Sequence, residues 1–99
     1  MDYKKIVNEL SENKVKIEFR NVNSNHNVQV TFRFRDSIDI MNNSQGSIIG
    51  ILSCPLDGSW QSWSIYNSNE LSNKVYPLIL EFMLDKDKNK IDKLHSCLN

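Results

Sequence analysis

Ninety-nine residues make room for one core and no second domain, and a chain this short buries only about two-thirds of the surface it exposes when unfolded. Hydrophobic residues at 39% and charged residues at 24% are ordinary for a folded domain, which excludes wholesale disorder. Twelve basic residues balance twelve acidic ones, which excludes a surface built throughout to wrap polyphosphate.

The balance is uneven along the chain. Residues 1–35 carry seven basic and four acidic side chains, 36–85 one and six, and 86–99 four and two. From Asp2 to Glu12, Tyr3, Ile6, Val7 and Leu10 recur at helical spacing, with Asp2 as N-cap and Asn13 as the residue that turns left-handed at the end. From Lys14 the period becomes two. Val15, Ile17 and Phe19 alternate with Lys14, Lys16, Glu18 and Arg20, as a half-buried strand requires.

Asn21–Asn27 reads as a turn, after which Val28, Val30, Phe32 and Phe34 alternate with Gln29, Thr31, Arg33 and Arg35 and close a hairpin. Phe19, Val30 and Phe32 are predicted core residues. Ile38 and Ile40 predict a short third strand and Asn42–Gly46 a turn. Ile48 to Leu52 is an apolar run suited to a strand buried on both sides, and Asp57-Gly58 is a favoured turn pair. Trp60 to Tyr66 completes a set of five strands. Beyond it the sequence is helical, starting either at Glu70 behind a Ser68 or Asn69 cap or at Pro77, which lacks a backbone donor. Leu80, Leu84, Ile91, Leu94 and Leu98 continue one stripe across the polar stretch Asp85–Lys90. The expected fold is therefore α+β: an N-terminal helix, a strongly bent five-stranded antiparallel sheet or SH3/Sm-like barrel, and a C-terminal helix or helix pair, all in one domain.

At Asn13–Val22 (NKVKIEFRNV) and Gly58–Ile65 (GSWQSWSI) the chain resembles small phage and bacterial proteins related to the WYL domain. Over residues 3–66 the resemblance implies an Sm-like barrel and, loosely, binding of nucleic acid or a nucleotide ligand. Ser59 separates Gly58 from Trp60, and the late strand lacks the arginine that the family tends to carry, so no ligand-binding residue is carried over.

Motifs for catalysis are absent around His26 and His95, three glycines leave no phosphate-cradling loop, and no cofactor is implied. Asp36 and Asp39 are either a carboxylate pair able to share a metal or solvated surface. Cys54 and Cys97, in a chain that shows no secretion signal and no apolar run long enough for a membrane span, read as free thiols of a cytoplasmic protein.

Three surfaces carry the functional expectations. The first is the outward face of the hairpin, where Lys16 opposes Arg33 and Lys14 opposes Arg35; either an external anion or Glu12, Glu18 or Asp36 must offset that repulsion. The second is Trp60, Trp63 and Tyr66; the two tryptophans have opposite parity in a strand, so both enter one core only if a bulge intervenes. The third is the leucine stripe, which either packs inside the molecule or mediates homo-oligomers. The leading expectation is a non-enzymatic regulator or inhibitor that occludes a host protein partner. The absence of alanine beside abundant Asn and Ser suits AT-rich coding such as many phages use. The alternatives are an Sm-like nucleic-acid binder working through the basic hairpin face and a module that sequesters a small nucleotide signal.

Overall fold

The computed structural model describes residues 1–21, 27–55, 61–65, 70–87 and 89–98, with backbone alone at 21, 27, 54–55, 61–65 and 70–72. Helix α1 (Tyr3–Glu12) opens the chain with the Asp2 carboxylate accepting from the Lys5 amide, and it buries Tyr3, Ile6, Val7 and Leu10. Its end differs from the expectation. Asn13 keeps a negative φ, and Lys14 takes the left-handed turn at φ 64 while its amide bonds Ser11.

Strands β1 (Val15–Asn21) and β2 (Asn27–Phe34) form the expected hairpin, pairing Val15 with Phe34, Ile17 with Phe32 and Phe19 with Val30. Strands β3 (Ser47–Pro55) and β4 (Gln61–Ile65) follow, and the antiparallel sheet runs in the order β1-β2-β3-β4. It is an open sheet of four strands, of which β1, β2 and β3 carry described side chains. Among the described residues there is neither a fifth strand nor a closed barrel, which overturns the five-stranded, SH3/Sm-like expectation and the barrel that the WYL resemblance implies.

The missing strand is a helix. Ile38 and Ile40 lie in α2 (Ser37–Met41), because Asp36 and Asp39 bond each other's backbone amides at 2.9 and 3.1 Å. This reciprocal capping satisfies two orphan amides over four residues and commits the backbone to a turn, whereas a two-residue alternation carries little strand information.

Two irregularities interrupt the ladder. Ile49 is the extra residue where Phe32 pairs with Gly50 and Arg33 with Ile48, and Trp63 is the extra residue where Ile51 pairs with Ser64 and Leu52 with Ser62. Ile49 is thereby turned into the core, 2% exposed.

Helix α3 (Glu70–Leu84) runs unbroken through Pro77. Pro77 and Asn73, whose carbonyl loses its partner, both lie on the exposed side, where water can take the bond. Asp85 and Asp87 then end the helix: their carboxylates accept from the amides two residues on, at 3.1 and 2.8 Å, and split the helical tail from α4 (Lys90–Ser96). Lys93 reaches back to Asp87 and holds its carboxyl below the ordinary aspartate range.

The helices supply one layer of the core. Val75, Ile79 and Phe82 of α3 and Leu94 of α4 join α1 against Val15, Val28, Val30, Phe32, Ile49 and Leu52 of the sheet. Phe82 sits at its centre, 6.0 Å from both Tyr3 and Phe32. This arrangement also consumes the leucine stripe: Leu94 is fully buried, Leu80 is half-buried, and Ile91 and Leu98 pack on the core, so that of the stripe only Leu84 stays exposed. Homo-oligomers through that stripe are not what its burial supports.

Candidate functional site

The basic hairpin face is assembled as its register requires, with Lys16 opposite Arg33. Its repulsion is offset within the molecule. Glu18 lies between the two cations, 3.6 Å from Lys16 Nζ and 3.6 Å from Arg33 Nε. Both are partly exposed pairs at ion-pair distance, the kind that contributes little to stability, but they cancel much of the field an anion would feel.

The second cation pair is used differently. Lys14 stands in the left-handed turn before β1, and its carbonyl accepts from the Arg35 amide at 2.9 Å. The Arg35 side chain points along the β2–β3 connection, where Nε donates to the Ser44 carbonyl at 2.9 Å. Lys14, Lys16, Arg33 and Arg35 thus divide between an internally compensated face and a structural clamp.

Trp60 and Tyr66 lie outside the described residues, as do His26 and the Asp57-Gly58 pair. Trp63 is placed by backbone alone, at the β4 bulge. Cys54 is likewise placed by backbone in β3, while Cys97 is a free thiol, half-buried against the core. His95 is exposed and meets the Phe19 ring edge-on at 5.2 Å. Asp36 and Asp39 are the α2 caps, and among the described residues no group of three His, Cys, Asp or Glu side chains converges as a metal site would need.

What stands out is a surface that sequence reasoning missed. In α2, Ile38 is 64%, Ile40 59% and Met41 84% exposed. Ile38 and Met41 share a face at i, i+3, with Ile40 one position before Met41. Reading these residues as a strand hid the signal, which was an Asp-x-x-Asp cap with Ile38 inside it and Ile40 directly after it.

The helix that carries them is held at both ends. Asp36 and Asp39 close its start, and the Ser44 amide bonds the Asp39 carbonyl at 2.7 Å beyond its end. Ser44 is itself gripped by Arg35, and its hydroxyl accepts from the Gly46 amide at 3.2 Å. Three apolar side chains are therefore presented on a braced turn.

The cap makes this surface pH-sensitive. The Asp39 amide, donating to the Asp36 carboxylate, holds Asp36 below its ordinary value of 3.8, with Lys14 adding to the effect. A depressed folded-state pKa means stability present above the ordinary value and lost as pH falls through the folded value. Amide shifts of Ile38, Ile40 and Met41 should therefore stay helical down to pH 3.8 and collapse only below it, with the sheet still intact. A carboxyl titration of Asp36 at or above 3.8 would contradict the cap.

No family model, no curated protein and no solved structure matches the chain. No described helix is long and apolar enough to cross a membrane.

Proposed function

We propose that the chain is a non-enzymatic regulator or inhibitor that binds and occludes a protein partner, with α2 as a principal contact. The observation that supports this reading is the exposure of Ile38, Ile40 and Met41 on a braced helix. A scattered surface leucine needs no explanation, but three adjacent large apolar side chains on five residues keep an unfavourable contact with water that a partner would remove. Bracing lowers the ordering cost of binding, since the knob is already in one conformation. The nucleic-acid and nucleotide readings lose ground because Glu18 sits inside the face that would receive phosphate.

The test compares tagged wild type with an Ile38→Lys/Met41→Lys variant in pull-downs from host cells, with and without nuclease. Wild type should retain a nuclease-resistant protein, and the variant should retain at least about tenfold less, as expected when apolar anchors are replaced by charge. Its melting temperature should shift by only about 2–4 °C, because exposed substitutions stay within about 0.5 kcal/mol. Retention of nucleic acid that nuclease removes, of a small nucleotide, or of the same protein by both chains would overturn the proposal.

A further inference from the structure

Strand β1 stands at the edge of the sheet, and the hairpin register fixes which of its main-chain groups are left over. The Arg35 amide donates to the Lys14 carbonyl at 2.9 Å, and residues 14 and 35 continue the register in which 15 faces 34. In an antiparallel ladder hydrogen-bonded pairs alternate. Lys16, Glu18 and Arg20 therefore turn their N–H and C=O groups toward β2, and Val15, Ile17 and Phe19 turn theirs outward. Among the described residues, no turn, loop or side-chain hydrogen bond reaches those outward groups. An open cleft of ≈ 410 Å³, bounded by Val7 and Ser11 of α1, Val15 and Ile17 of β1, and Leu98, keeps this edge approachable.

We propose that β1 pairs with β1 of a second copy of the chain, antiparallel across a twofold axis at Ile17, joining two four-stranded sheets into one. The argument is charge complementarity combined with backbone parity. With the axis at Ile17, Ile17 faces its twin, and Val15 faces the other copy's Phe19. All three outward-pointing residues then form hydrogen-bonded pairs. On the opposite side of the strand, Lys16 of each copy faces Glu18 of the other. These are the closely spaced, non-hydrogen-bonded positions, where side-chain charge matters most.

Neighbouring registers fail on charge. An axis at Glu18 sets Glu18 against its twin and Lys16 against Arg20, and an axis at Lys16 sets Lys16 against itself. An axis at Phe19 pairs Glu18 with Arg20 but leaves Val15 and Lys16 opposite residues beyond the strand's end at Asn21. Charged side chains usually blunt an edge strand against pairing. Here their order makes the edge self-complementary, as an isologous interface requires.

Sedimentation velocity from micromolar to millimolar chain should show a dimer that grows with concentration. Lys16→Glu makes the face doubly acidic and Glu18→Lys makes it doubly basic, so each alone should weaken dimerisation at least about tenfold, given the cost of opposed like charges. Mixed in equal amounts, the two variants should form a heterodimer, and the Lys16→Glu/Glu18→Lys double variant should recover the homodimer. Cooperative melting of each variant separates loss of pairing from loss of fold. A wild type that is monomeric at every concentration, single variants that dimerise as wild type does, or a mixture that stays monomeric would each overturn self-pairing. A monomer that captures a foreign strand, and loses it on Glu18→Lys, would also overturn it.

Discussion

Replacing Phe32 with Asp should leave a chain that shows no cooperative thermal transition. Phe32 is fully buried in β2, between Ile17 on β1 and Gly50 on β3, with its ring 6.0 Å from that of Phe82. Removing the ring costs about 3–5 kcal/mol in lost packing. The carboxylate adds several kcal/mol more, because the surrounding cluster is apolar and offers it no donor. Together these match the roughly 5–15 kcal/mol that holds a small domain together. Phe32→Leu is the control: it keeps the apolar character, should cost about 1 kcal/mol, and should lower the melting temperature by about 4–8 °C. A soluble Phe32→Asp chain that melts cooperatively would remove Phe32 from the core and with it the hairpin register.

That register was legible because a period of two sustained over fifteen or so residues leaves one arrangement that buries Val15, Val30 and Phe32 together. A slip by one residue would bury Lys16 and Arg33 instead. The helix-or-strand choice at Ile38 and Ile40 was not legible in the same way, since two apolar residues fit either period. What decided it was local hydrogen bonding by Asp36 and Asp39, an effect of side chains on the backbone that hydrophobic patterning does not register. Strand count followed from that one segment, and the closed barrel fell with it. Pro77 left two helix starts open in the sequence, and the one at Glu70 is found, because a proline breaks a helix most severely where the abandoned carbonyl is dry, and here the position is exposed.

The candidate site divides along the same line. Lys16 and Arg33 were placed correctly by alternation, and Glu18 was among the counter-charges that the sequence offered. Which of Glu12, Glu18 and Asp36 supplied the charge depended on the cross-strand geometry. Two residues along the same strand from Lys16 and diagonal to Arg33, Glu18 reaches both. Asp36, by contrast, is committed to its cap. The apolar knob could be found only by abandoning the strand assignment, because a strand would have turned Ile38 and Ile40 to the core.

Gly46→Ala should be strongly destabilising, and its effect should reach α2. Gly46 has φ +82, a conformation that costs an L-residue roughly 1–2 kcal/mol. A Cβ there would lie 2.1 Å from the Phe34 carbonyl oxygen and 3.2 Å from the Arg35 Cα, both backbone atoms that cannot rotate away. Relief requires moving the end of β2 or the start of β3, which adds about 1–3 kcal/mol as an overpacking cost. The sum, about 2–5 kcal/mol, should lower the melting temperature by roughly 8–40 °C in a chain of this size. The displaced segment includes Arg35, whose guanidinium grips Ser44 and through it the end of α2. Below its transition the variant should therefore keep its sheet but present Ile38, Ile40 and Met41 less rigidly, so that amide exchange at these residues accelerates while that of Val30 and Phe32 changes less. Partner capture should fall alongside, since the knob would again have to be ordered on binding. A Gly46→Ala chain that melts with the wild type would show that the turn tolerates a side chain and that α2 is not braced through it.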